Sequence, residues 1–273
     1  MARIASLHIY PVKSCRGIDL ERARVTGSGL EWDRRWMILD GKGHFVTQAT
    51  NPRLATVTTG IADGTLRLSV DGHPVLHVDP RADGPVHRVQ VWKDTCTGID
   101  AGDEAAAWLS RALGGDRLRL VRIDESVPRL ASPKNAGSTS PLNFADAYPV
   151  LLLSRESLAE LNRRLPAPVP MNRFRPNVVI EGVATQAEDE FAGFRAGGIM
   201  LRGMKRCVRC VITTTDQRDG SRDPRQEPLR TLKTYRHERQ LHGVTFGQYC
   251  VVAEGVGEML AVGDPLTVEA HQV

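Results

Sequence analysis

Apolar and polar residues alternate with a period near two along much of this chain, the signature of half-buried strands. Residues 3–10 read as a first strand, with others expected near 20–26 and 35–40. From 44 to 92 short β-type runs alternate with turns at Asn51-Pro52, Asp63-Gly64, Asp71-Gly72 and Asp83-Gly84. Asp-Gly between apolar runs is a hairpin signal. The scattered His73, His77 and His87 read as surface. The period turns helical over 102–113, with Asp103 near the start. Ala106, Leu109, Ala112 and Leu113 form one stripe there, and Gly114-Gly115 ends it. A strand over 118–123 precedes an irregular stretch, 124–147, interrupted by Pro128, Pro133, Gly137 and Pro141. Val150-Leu151-Leu152-Leu153 reads as a buried strand. Ser154 is placed to cap a helix carrying Leu158, Leu161 and Leu165 on one face, stopped by the prolines at 166, 168 and 170. Strands follow at 178–180, 191–201, 246–252 and 265–268, and a short helix opens at Pro228 and runs to about Arg236. The pattern predicts a mainly β chain with a few helices (α+β), in two domains, 1–120 and 121–273.

The 273 residues can form one large or two modest cores. Apolar content of 41% and charged content of 25% are ordinary for a soluble globular protein. The net charge of +4 is mild, and no basic block carries interleaved aromatics, so no nucleic-acid partner is expected. No run approaches the roughly 18 apolar residues of a membrane helix, so no membrane partner is expected. Five cysteines without regular spacing, and no signal-like start, suggest a reduced, cytoplasmic protein.

The chemistry concentrates in the segment from Arg206 to Asp216. Cys207 and Cys210 stand three positions apart beside Arg206 and Arg209, whose charge favours the thiolate. A β-branched run follows, so the pair is expected in a loop or bulge feeding a strand. Four readings of the pair remain open: a zinc site, a dithiol switch, buried packing, or one soft thiolate on a transition metal whose other ligands come from a cofactor. Elsewhere Lys13, Ser14 and Arg16 give three groups able to bind an oxyanion, on a turn loosened by Gly17. Alternation from Arg34 would place it on one face with Trp36, where it could stack or reach inward to an anion. Arg175 and Asn177 precede an apolar strand and could face a ligand, or simply form its entry turn.

Several segments, taken in order, resemble the MOSC family. They are Pro11-Val12-Lys13-Ser14; Asp33-Arg34 with Trp36; Phe144-Ala145-Asp146 with Pro149, leading to Ser157-Leu158; Phe174-Arg175-Pro176-Asn177; Cys207 through Asp216; Glu227-Pro228-Leu229; Phe246-Gly247-Gln248-Tyr249; and Val262-Gly263-Asp264-Pro265. The ordered set spans nearly the whole chain and is patterned like the amidoxime-reducing branch. The resemblance implies two β-barrel-like domains, an N-terminal MOSC barrel and a MOSC domain, and a molybdenum cofactor, molybdopterin. It implies Cys210 as the molybdenum ligand and catalytic centre. Lys13, Ser14, Arg34, Asp146, Arg175 and Asn177 would hold the cofactor. Ala147 and Tyr148 depart from the hydroxyl residues expected after Asp146. The implied reaction is reduction of N-hydroxylated small molecules such as amidoximes and hydroxylamines, with Asp216 either a nearby acid or a turn residue. Because no cysteines remain for an iron–sulfur cluster, electrons are expected from a separate redox protein or reductase. The alternative is a carrier or sulfur-transfer module for the same cofactor, without turnover of its own.

Overall fold

A computed structural model describes residues 1–131 and 140–270. Part of the irregular stretch, 132–139, with Pro133 and Gly137, therefore lies outside the described residues. The chain is mainly β with three α-helices among the described residues, as the hydropathy pattern predicts. Its largest sheet runs in the order Ile18–Leu20, Arg3–Ile9, Val178–Glu181, Val150–Ser154, Gly243–Glu254, Ile199–Val208, Phe191–Ala196, Thr267–Ala270, and His237–Glu238 joins Gly243–Glu254. The first strand of the chain thus lies within a sheet otherwise built mostly from the second half. It pairs antiparallel with Val178–Glu181, Leu7 opposite Val178.

One pair in this sheet, Val150–Ser154 with Val178–Glu181, is parallel. Parallel neighbours need a crossover connection, and helix α2 (Arg155–Arg164) supplies it. Ser154 begins it as expected: its Oγ accepts from the Ser157 amide at 3.1 Å, and buried Leu161 faces inward. Α second sheet, Trp36–Leu39, Arg119–Ile123, Asp94–Asp100 and Val86–Val91, is antiparallel throughout. A three-stranded meander, Thr58–Ala62, Thr65–Ser69 and Leu76–Val78, closes on helix α1 (Asp103–Leu113). Trp108, Leu109 and Leu113 of α1 pack with Leu54, Leu66 and Leu68, and left-handed Gly114 ends the helix.

Three details depart from the sequence pattern. The β-branched run after Cys210 forms a 3-10 turn, Val211–Thr214, and the strand, Ile199–Val208, comes before this turn and includes Cys207. Thr213 and Thr214 explain it: their hydroxyls bond the carbonyls of Cys210 and Val211 at 3.0 and 2.7 Å, a local alternative to the sheet ladder. Arg34 sits in a turn with φ +48° rather than on a strand, so alternation does not set its face. Arg35 is the arginine over Trp32 and Trp36, at 5.0 and 5.7 Å, whereas Arg34 lies 4.6 Å over Tyr10. His77 is exposed, but His73 packs edge-on against Trp108 and His87 bonds buried Asp100 at 3.0 Å.

Candidate active site

A cleft opens between the second sheet and the large one. Lys13, Ser14 and Arg34 line it from the N-terminal half. Asp146, Arg175, Asn177 and Cys210 line it from the rest of the chain. Residues as far apart in sequence as Lys13 and Cys210 therefore line one cleft.

The backbone explains how they meet. The segment 10–13 zips against 34–36: the Arg34 amide donates to the Tyr10 carbonyl, Trp36 to Pro11 and Lys13 to Trp36, at 2.8–3.0 Å. That ladder fixes Lys13, Ser14 and Arg34 as one unit. After the 3-10 turn Met171–Arg173, Arg175 takes φ +56°, and the Asn177 amide donates to the Leu151 carbonyl at 2.8 Å. Cys207 is the penultimate residue of strand Ile199–Val208, the Arg209 amide donates to the Val244 carbonyl at 2.7 Å, and Cys210 starts the 3-10 turn. Of ten non-glycine residues with positive φ among those described, Ser14, Arg34, Trp92 and Arg175 line this cleft. Each costs on the order of 1 kcal/mol or more, and such strain gathers where side-chain placement matters.

The side chains divide by what they have left to offer. Asn177 is committed to the scaffold: Oδ1 accepts from Arg34 at 2.8 Å and the Leu151 amide at 3.1 Å, and Nδ2 donates to the His8 carbonyl. Arg34 donates to Asp33, Asn177 and the Arg175 carbonyl. Tyr10 lies between two guanidinium groups, Arg175 at 4.1 Å and Arg34 at 4.6 Å. Burial pushes its phenol up to about 12, so it stays neutral between the cations. Arg175 gives Nη1 to the Cys15 carbonyl at 2.7 Å, but its buried Nη2 has no partner. Arg209 gives Nη1 to Cys207 Sγ at 2.9 Å and Nη2 to the Phe174 carbonyl at 2.6 Å, and its buried Nε has no partner.

Electrostatics favour an anion. Lys13, Arg34, Arg175 and Arg209 bring four cations to the cleft against the carboxylates of Asp33 and Asp146. Burial depresses Lys13, against the pull of Asp146, and brings Arg175 down to about 10, which leaves that guanidinium charged at physiological pH. Desolvation opposes ionisation of Asp146, but Lys13 Nζ at 2.5 Å and the Trp92 indole at 2.9 Å outweigh it and hold the carboxyl well below its usual range. Half-exposed Asp146 is partly screened by water, so this pair holds Lys13 in place more than it neutralises the cleft. Two cations stay unbalanced, and two guanidinium nitrogens wait for acceptors, an arrangement suited to a phosphate.

The two cysteines have separate environments. Cys207 is 2% exposed, beneath Arg209, whereas Cys210 presents its thiol at the surface of the cleft. No group of three or more His, Cys, Asp or Glu residues among those described could hold a metal.

Residues 1–116 match the MOSC N-terminal beta barrel domain, and 139–267 match the MOSC domain. The chain is 36% identical to mitochondrial amidoxime-reducing component 1 of Mus musculus, over 96% of this chain and 81% of that one. It is 36% identical to component 1 of Homo sapiens, with 96% and 82% covered, and 34% identical to component 2 of Bos taurus, again with 96% and 82%. The chain belongs to the MOSC family. The expected cytoplasmic location is corrected here: these relatives are named mitochondrial, and cysteine usage reports a reducing compartment, not an address. No helix of this MOSC protein, among the described residues, is long and apolar enough to cross a membrane.

Two polar candidates lie outside the cleft. Arg16 donates to the carbonyls of Gln217 and Arg218, tying the first loop to the turn that follows Val211–Thr214. Asp216 is bound by Arg218 and by Arg173 at 3.0 Å, which bring it down to about 2. It stays ionised and acts as a turn anchor. Other lining residues gave weaker sequence signals. Trp92 lies at the mouth, and only its oddity as a bulky aromatic at a hairpin tip could have marked it. Tyr249 also lines the cleft, hidden in the sequence as one of many strand residues.

Proposed function

We propose that this MOSC protein is a molybdenum-cofactor-dependent reductase of N-hydroxylated small molecules. The observation that carries the reading is the pairing of one exposed thiol, Cys210, with unpartnered guanidinium nitrogens of Arg175 and Arg209 in a cleft of net positive charge. The donor set fits the cofactor. A lone soft thiolate suits a transition metal whose other ligands come with the cofactor, and the guanidinium groups suit its phosphate. Relatives named amidoxime-reducing components support the substrate class.

In this reading Cys210 ligates the metal. Arg175, Arg209 and Lys13 bind the anionic tail, Ser14 adds a hydroxyl, and Asp146 fixes Lys13. Arg34 and Asn177 hold the turn that aims Arg175. When bound, the cofactor supplies two electrons, which with two protons convert the substrate N–O bond to N–H and water. Solvent delivers the protons, because Asp216 is ionised and lies outside the cleft. A separate redox protein restores the electrons.

Molybdenum content per chain, measured in wild type and Cys210→Ser from a cofactor-competent host, tests the site. Near-stoichiometric metal that falls in the variant is expected, with benzamidoxime reduced by wild type under a chemical electron donor. Well-folded wild type without molybdenum overturns the reading. Molybdenum bound without turnover of any N-hydroxylated compound points instead to a cofactor carrier.

A further inference from the structure

Trp92 breaks the rules of its own turn. Strands Val86–Val91 and Asp94–Asp100 pair with Val91 opposite Asp94, leaving Trp92-Lys93 as a two-residue hairpin loop. Such loops favour Asn, Asp or Gly where φ is positive. Here a tryptophan takes φ +55° and stays 59% exposed. Both features oppose stability, since strain of this kind costs on the order of 1 kcal/mol or more, and an exposed indole forgoes burial.

The ring is nevertheless held firmly. Its Nε1–H donates to Asp146 Oδ1 at 2.9 Å, and Phe45 meets it edge to face at 5.3 Å. Gln90 binds its carbonyl at 2.9 Å, and Lys13 Nζ lies 5.6 Å over the Phe45 ring. Lys13, Asp146, Trp92 and Phe45 thus close a ring of contacts at the cleft mouth. A strained, exposed aromatic held rigid in the lining of the cleft that also carries Cys210 has the properties of a stacking platform: planar π-systems gain from its face, and little ordering cost remains.

We infer that Trp92 is a specificity-determining residue that stacks the flat conjugated part of the substrate. It favours N-hydroxylated groups carried on aromatic or heteroaromatic rings over those on saturated chains. This inference rests on the reductase reading above.

The experiment compares kcat/KM for an aryl and an alkyl amidoxime in wild type, Trp92→Asn and Trp92→Phe. The asparagine variant suits the positive φ, so its melting temperature should equal or exceed that of wild type. Its aryl-to-alkyl ratio should fall about tenfold, through KM for the aryl compound, within the range of an aromatic stacking contact. Trp92→Phe keeps a ring but loses the bond to Asp146, and should retain most of the ratio. In molybdenum-free protein, the aryl compound should quench tryptophan fluorescence in wild type and much less in Trp92→Asn. An unchanged ratio in Trp92→Asn overturns the inference, as does an equal fall in both variants, which would place the effect in Asp146. If wild type reduces neither compound, the reductase reading fails instead.

Discussion

At the scale of single residues, the cleft rests on buried cations whose donors are unevenly spent. Arg175 shows what the guanidinium shape is for: one nitrogen holds the Cys15 carbonyl and the other is left open. Lysine would keep the charge and lose the fork. Arg175→Lys should therefore fold but load cofactor about tenfold less well, read as molybdenum and pterin content at limiting supply. Equal loading would show that charge alone suffices. Asp216 makes a separate prediction. Hydrogen bonds from Arg218, then attraction to Arg173, depress its carboxyl from the ordinary 3.8 to about 2. A depressed acid contributes stability that is complete above its unfolded pKa and is lost as pH falls through the folded one. Asp216→Asn should lose about 1–2 kcal/mol at pH 7, allowing for water around exposed Arg218. The gap to wild type should narrow between about pH 4 and pH 2. Denaturant melts across pH check it, and a gap unchanged at pH 2 would refute it.

At the scale of elements, the strands, α1 and α2 were legible because each carries a clean period and a stop signal. The turns that aim side chains were not. Arg34, Trp92 and Arg175 take left-handed backbone without glycine, and only tertiary contacts over-determine that choice. The segment after Cys210 misled for a related reason, since threonine is both a strand former and a side-chain hydrogen bonder, and here the hydroxyls prevailed. The site residues that the resemblance implies do line one cleft, yet the bonding among them was invisible in sequence: Asn177 accepts from Arg34 and from the Leu151 amide while it lines that cleft. Helix α2 offers a test of an element that was read correctly. Ser154 Oγ accepts from the Ser157 amide and donates to buried Glu188 at 2.8 Å. Burial raises the Glu188 pKa, so the loss of this donor leaves an expensive group less satisfied. Ser154→Ala should cost about 2–3 kcal/mol, above the roughly 1 kcal/mol of an N-cap alone. A loss no larger than that of an ordinary cap, in chemical denaturation, would show that Glu188 finds other partners.

At the scale of the whole molecule, two stretches that read as successive domains in sequence are interleaved in space. Strand Arg3–Ile9 lies between Ile18–Leu20 and Val178–Glu181, and Met259–Ala261, near the end of the chain, pairs with Arg22–Thr26. Leu7 and Ile9 share one buried cluster with Val150, Val178, Phe194 and Leu260. Cutting the chain after residue 124, past the strand Arg119–Ile123, leaves the second piece with an unpaired edge at Val178–Glu181 and a core missing Ile4, Leu7 and Ile9. Unpaired apolar edges aggregate. Neither fragment, 1–124 or 125–273, should give a cooperative melt alone, whereas co-expression should recover a soluble complex. The cleft draws its cations from both pieces, so the recovered complex should bind molybdenum cofactor and the separate fragments should not. A cooperative melt from 125–273 alone would show that the MOSC core forms without its borrowed strand, and that the interleaving serves the site rather than the fold.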